Sequence, residues 1–165
     1  MKKPVIFNVL RIIRGTTVDG PGFRTSIYLA GCTHRCRGCH NPQSWDPENG
    51  EATSLEEIME IVEEEDFDVT LTGGDPLFEP DKLEILLKEL KKNRRNVWIY
   101  TGYKWEEIID SPRLQRVVAL ADVVVDGPYQ EELRDRDLRF RGSSNQRIID
   151  VHESLETGKI CLSRH

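Results

Sequence analysis

Three of the four cysteines in this chain fall within eight residues, as Cys32-x3-Cys36-x2-Cys39. Three thiolates on so short a loop can hold three corners of an iron–sulfur cubane and leave one iron without a protein ligand. An open coordination position is what makes a metal centre reactive and not merely structural. Electron-carrying [4Fe–4S] sites take four cysteines. Here the fourth, Cys161, is remote in sequence, and a ferredoxin-like carrier would have to recruit it. The same loop also offers a Cys3His zinc set, completed by His34 or His40.

Glycine-rich and acidic turns supply the other groups with chemical potential. Gly73-Gly74-Asp75 allows close backbone approach, although by itself it also reads as a plain strand-to-helix turn. Thr101-Gly102-Tyr103 and Asp126-Gly127-Pro128 interrupt later apolar runs. Asp126 suits either a ribose hydroxyl or a turn cap, and Tyr103 either a nucleoside or rim packing. Arg141 and Arg147 suit a partner's carboxylates or plain solvation. Cys161 belongs to no motif.

These segments need a scaffold, and the chain alternates between two periods that provide one. Residues 25–30 read as a buried strand leading into Gly31-Cys32. Ser54-Leu55-Glu56-Glu57 is a capping box, after which Leu55, Ile58, Met59 and Val62 mark one helix face. Strands are predicted over about 67–71, 96–101 and 122–126, with a last one over 145–151. Helices are predicted after Pro80-Asp81, with Leu83, Leu86, Leu87 and Leu90 on one stripe, and over about 105–120 with a break at Ser111-Pro112. Residues 129–144 are polar and arginine-rich, without a clear period.

Strand–helix alternation at this spacing predicts βαβ units with a parallel sheet. The chain of 165 residues is shorter than a full eight-fold barrel. An α/β open, partial (β/α) barrel, one domain over residues 1–165, is the expected fold. The cysteine loop and the three turns all follow C-terminal strand ends, which share one rim in such architectures.

Composition narrows the function classes. Charged residues make up 32% and net charge is −6, which disfavours a nucleic-acid binder working by phosphate neutralisation. No apolar run reaches the roughly 20 residues of a membrane span, and Met1-Lys2-Lys3-Pro4-Val5 does not read as a signal peptide. A cytoplasmic protein without a membrane or nucleic-acid partner is expected, and there crowded cysteines favour metal or redox work over disulfides. The charge is uneven: net +6 over residues 1–45, −14 over 46–89 and +2 over the rest. The acidic block is read as solvated helix faces.

Taken together, the motifs are recognisable. Cys32-x3-Cys36-x2-Cys39 resembles the signature of the radical S-adenosylmethionine enzymes. The preceding Thr17-Val18-Asp19-Gly20-Pro21-Gly22-Phe23-Arg24 resembles that of the glycyl-radical activating enzymes among them. Thr72-Gly73-Gly74-Asp75-Pro76-Leu77, Tyr100-Thr101-Gly102-Tyr103, Val125-Asp126-Gly127-Pro128 and Gly142-Ser143-Ser144-Asn145-Gln146-Arg147 are similar to the activating proteins of anaerobic ribonucleotide reductases. The resemblance spans residues 8–151, nearly the whole chain.

It implies a [4Fe–4S] cluster on Cys32, Cys36 and Cys39, with S-adenosylmethionine chelated at the open iron and contacted by Gly38, His40, Gly73, Gly74 and Asp75. It further implies reductive cleavage to a 5′-deoxyadenosyl radical, which makes a glycyl radical on an anaerobic ribonucleoside-triphosphate reductase. The electron would come from a low-potential donor. Two departures from the broad pattern stand out. Gly38 replaces a common aromatic residue, as it does in the reductase activators, and Asp75 replaces a commoner Glu. A pyruvate formate-lyase-type activase and a non-catalytic zinc module are the rival readings. The shorter chain and the 142–147 segment argue against the first.

Overall fold

The computed structural model describes residues 3–165. Seven strands, β1 (Ile6–Thr16), β2 (Arg24–Leu29), β3 (Glu51–Ser54), β4 (Asp68–Gly73), β5 (Val97–Tyr100), β6 (Val123–Asp126) and β7 (Arg147–Asp150), form one sheet. Its order is β3-β1-β2-β4-β5-β6-β7. Five helices follow the strands: α1 (Leu55–Glu65), α2 (Pro80–Lys92), α3 (Trp105–Asp110), α4 (Pro112–Val118) and α5 (Val151–Thr157).

The sheet is mixed and open, which corrects the expectation of a parallel one. Strands β2, β4, β5 and β6 are parallel to one another. β1 and β3 add antiparallel strands at one side and β7 at the other. The cause is connection type. Only seven residues join β1 to β2, too few for a crossover, so the pair closes as a hairpin. β6 reaches β7 through a segment whose only helix is the single turn Glu131–Leu133, and the chain simply doubles back.

Local signals account for most elements. The capping box forms as predicted: the Glu57 amide donates to Ser54 Oγ at 3.1 Å, and the Ser54 amide to Glu57 Oε2 at 2.7 Å. Ser111 ends α3 and caps α4 through the Leu114 amide, so the predicted helix over 105–120 is two. β1, β3 and α5 fall where no element was predicted.

One core lies between the sheet and the helices. The α1 residues Ile58 and Val62 and the α2 leucines meet Ile27, Val69, Leu71, Ile99 and Val124 there. The predicted stripes are therefore the core stripes. Because side chains alternate along a strand, the other face carries Arg24, Ser26, Tyr28, Thr70 and Thr72. Beside them Trp98, Val123, Val125 and Ile148 make a smaller apolar cluster, which Phe140 covers from the 129–144 segment. No helix among the described residues is long and apolar enough to cross a membrane.

Candidate functional site

The four parallel strands end side by side. Their C-terminal ends run into Gly31-Cys32, Gly74-Asp75, Thr101-Gly102 and Gly127-Pro128, so segments separated by up to about a hundred residues meet on one rim, as parallel α/β sheets require.

Backbone bonds shape the cysteine loop. The Gly31 amide donates to Ser44 O at 2.7 Å and the Cys32 amide to Trp45 O at 3.2 Å, which closes residues 31–45 into a loop. Gly74 N–H donates to Leu29 O and Asp75 N–H to Gly31 O, at 2.7 and 2.8 Å, so the loop is sewn to the end of β4. This close approach explains the glycine pair. A Cβ at Gly73 would run into the Leu29 backbone, and one at Gly74 into the carbonyls of Gly31 and Ser44.

Cys32, Cys36 and Cys39 are free, half-buried and gathered around one cavity of about 210 Å³. Thr72, Gly73, Gly74, Tyr100, Thr101 and His40 also line it. Burial pushes the Cys32 and Cys36 thiols up. The backbone amides of His34 and Arg35, directed at Cys32, and of Tyr129, directed at Cys36, oppose that rise. The Asn41 amide donates to Cys39 Sγ at 3.4 Å. No three His, Cys, Asp or Glu side chains among the described residues converge on a point that one ion could occupy. The thiols surround a space instead, and soft thiolate donors around a space suit an iron–sulfur group.

The remaining expected contacts divide. Gly73, Gly74 and His40 line the cavity, and the His40 ring lies 5.1 Å from that of Tyr129. Gly38 is not part of the lining. It has φ +77°, and its missing side chain makes room for the Glu131 carboxylate, which accepts from Tyr129 Oη at 2.8 Å.

Asp75 is also placed differently from the expected cofactor contact. It is 2% exposed, and its carboxylate is used up by protein donors. Oδ2 accepts from Thr101 Oγ1 at 2.9 Å and the Gly102 amide at 3.0 Å, and lies 2.6 Å from His34 Nε2. Oδ1 accepts from the Leu77 amide at 2.9 Å. One carboxylate thus ties the cysteine loop, the Gly73-Gly74 turn and the Thr101-Gly102 turn together. The bond to Asp75 raises the His34 pKa. His34 packs edge-on to Tyr103 at 4.7 Å, and a Cβ at Gly102 would come to 2.6 Å from its ring. With Nε2 held this way, only Nδ1 of His34 is left for a metal, and a ligating histidine commonly gives its other ring nitrogen to a carboxylate.

Asp126 ends β6, and its carboxylate serves the start of α3 and Arg147 of β7 rather than a ribose or the turn that follows it. It is 1% exposed and accepts from the Trp105 amide at 2.8 Å. Arg147 is clamped between it, at 2.6 Å, and Glu106, at 2.8 Å, and its pKa is raised by both bonds. Cys161 lies at the opposite end of the sheet, where its carbonyl accepts from the Asp150 amide at the far end of β7. It is not among the residues lining the cysteine cavity.

The motif loop 17–23 folds over the sheet face away from the helices. Arg24, 1% exposed, holds it there. Its Nε donates to Thr70 Oγ1 at 2.8 Å, and Thr70 Oγ1 in turn donates to Asp19 O at 2.8 Å. A Cβ on Gly20 would come to 2.8 Å from Arg24 Cδ. The Asp19 carboxylate accepts from Tyr28 Oη at 2.9 Å, which with burial pushes that phenol up to about 12.

Comparison with known proteins agrees with this arrangement. Residues 18–149 match the family model of the 4Fe-4S single cluster domain. The chain is 36% identical over 149 residues to the anaerobic ribonucleoside-triphosphate reductase-activating protein of Enterobacteria phage T4, covering 86% of this chain and 92% of that one. It is 34% identical to the proteins of the same name from Pasteurella multocida, over 79% of this chain, and Escherichia coli K12, over 78%, and in both cases 89% of the relative is covered. A cysteine-lined cavity at the rim, a single-cluster domain match over most of the length and relatives of one name across nearly their full length lead to one assignment: the chain belongs to the family of anaerobic ribonucleoside-triphosphate reductase-activating proteins.

Proposed function

We propose that this chain is the iron–sulfur activating enzyme of an anaerobic ribonucleoside-triphosphate reductase, with Cys32, Cys36 and Cys39 each holding one iron of a [4Fe–4S] cluster. Held by these three cysteines and reduced by a low-potential electron donor, such a cluster would supply one-electron reduction of S-adenosylmethionine bound in the same cavity, the chemistry that would draw a hydrogen atom from a glycine of the reductase.

This chain's residues bind, orient and shield. The thiolates of the three cysteines are the anionic ligands; the Asn41 amide donates to Cys39 Sγ, and the backbone near His34, Arg35 and Tyr129 opposes the burial-driven rise in the pKa of Cys32 and Cys36. Gly73 and Gly74 present bare backbone across the cavity, where an amino acid's ammonium finds carbonyl acceptors. His40 forms the wall on the nucleoside side. Asp75 acts as a positioning residue that sets the distance between the two walls. The open sheet, with helices on one face and the cysteine loop at the rim, supports a radical S-adenosylmethionine partial barrel, and we assign the enzyme a cytoplasmic setting and a low-potential electron donor.

The observation that carries the reading is that the three thiols and the Gly73-Gly74 backbone line one cavity. The relatives' names favour the reductase over pyruvate formate-lyase as partner. Anaerobic reconstitution with iron and sulfide is expected to give a brown protein. Once reduced, it should cleave S-adenosylmethionine and raise a glycyl-radical EPR signal on the reductase. Alanine at Cys32, Cys36 or Cys39 should abolish both, and Cys161→Ala should leave both intact. A colourless protein with stoichiometric zinc and no cleavage would refute the assignment.

A further inference from the structure

The cysteine cavity adjoins a second recess of about 490 Å³, and His40, Tyr100 and Gly142 line both. Val18 and Asp19 of the motif loop form one side of this recess. The other side is the segment 134–141, a strap whose ends are closed by a bridge from Arg134 to Ser143 and by the Ser144 amide donating to Leu133 O at 2.9 Å. Phe140, at φ +63°, turns its ring against Trp98 at 5.5 Å and anchors the strap on the sheet. Arg136 and Arg139 are left exposed.

The strap carries four arginines against two aspartates in a chain of net charge −6. Asp135 is engaged within the strap, where it accepts from the Asp137 amide at 2.9 Å. Arg134 reaches Glu131 only at 3.9 Å, and Arg141 donates to the Gln146 carbonyl. Among the described residues no carboxylate oxygen lies within 4.0 Å of the guanidinium groups of Arg136, Arg139 or Arg141. Among the described residues Arg14, Arg95, Arg113, Arg116 and Arg147 have carboxylate partners, whereas Arg11, Arg24, Arg35, Arg37, Arg94 and Arg164 have none either; what sets the strap apart is four arginines within eight residues beside the recess. Tyr100 lines both cavities, while its hydroxyl is buried and has no hydrogen-bond partner among the described residues.

We infer that the strap 134–141 is the docking surface for an acidic segment of the protein substrate, which leads the adjoining glycine-bearing backbone through the recess to the cysteine cavity. The inference deepens the functional reading above and rests on it for the identity of the substrate. Exposed charges beside an opening act mainly on encounter and register, so the interaction should weaken with salt.

The test is the affinity of the reconstituted protein for the reductase, measured without turnover at low and high salt. The double reversal Arg136→Glu/Arg139→Glu is expected to weaken binding about tenfold or more at low salt, and the parent's affinity to fall as salt rises. Arg113→Glu/Arg116→Glu makes the same change in net charge on α4 and is expected to stay within about twofold of the parent. Should the strap double variant fail to fold, Arg139→Glu alone is expected to weaken binding about threefold. Docking at the strap is overturned if the reversal binds as tightly as the parent, if the α4 control loses as much, or if the parent has no measurable affinity. A parent that binds but cleaves no S-adenosylmethionine would strike the functional reading alone.

Discussion

Replacing Asp75 by Asn keeps the shape of the best-connected group on the rim and removes its charge. The carboxylate receives the Leu77 amide on one oxygen and Thr101 Oγ1, the Gly102 amide and His34 on the other. An amide has one acceptor oxygen. Its better orientation keeps the three-donor cluster and turns the NH2 toward the Leu77 N–H, leaving a buried donor unpaired at about 1–3 kcal/mol. The three retained bonds lose their charge assistance, about 1 kcal/mol together. The sum is about 2–4 kcal/mol. With a urea slope of roughly 1–3 kcal/mol/M for small proteins, the unfolding midpoint of the cluster-free chain, followed by tryptophan fluorescence, should fall by about 1 M or more.

The cost should also depend on pH. The bond to Asp75 raises the His34 pKa. The charged part of the pairing is therefore complete below the ordinary imidazole pKa and is lost as pH rises through the raised one. Asp75→Asn should consequently cost more at pH 6 than at pH 9. A midpoint within about 0.3 M of the parent at pH 6 would refute the view that this carboxylate joins the rim loops.

Gly102→Ala should lower the unfolding midpoint because its Cβ meets the His34 ring at 2.6 Å. Combined with His34→Ala, the loss should be clearly less than additive in a double-mutant cycle. Arg147→Met strands the buried Asp126 carboxylate and should cost about 3–5 kcal/mol in denaturant unfolding. By contrast Glu106→Gln, at the more exposed end of the same clamp, should cost about 0–1 kcal/mol.

Several features were legible because their causes are local. The capping box at Ser54, the leucine stripe of α2 and the break at Ser111-Pro112 depend on residues within a few positions of one another, and each formed where its pattern stood. The cysteine spacing likewise placed three soft donors on one loop and left an iron–sulfur group and a zinc site both open, and the family match to a 4Fe-4S single cluster domain favours the first. β1 was missed although Ile6, Phe7, Val9, Ile12 and Ile13 are good strand formers. Their pattern shifts phase at an irregularity between Val9 and Arg11, and no alternation over the whole strand survives.

The motifs of Asp75 and His34 were visible, but their pairing was not. The two lie 41 positions apart, and nothing in either neighbourhood predicts that one carboxylate will absorb donors from three loops. Glu131 against Gly38 and Arg24 beneath the motif loop are further contacts of this kind.

From composition and order of residues alone came three thiols on one short loop, the amphipathic helices and the meeting of the strand ends on one rim, all consequences of short-range sterics and hydrogen bonding. Which glycines exist to let backbones touch, which carboxylates are structural and which arginines go unpaired was decided only when distant segments packed together. Burial and pairing are properties of three-dimensional neighbours, and a linear chain does not list them.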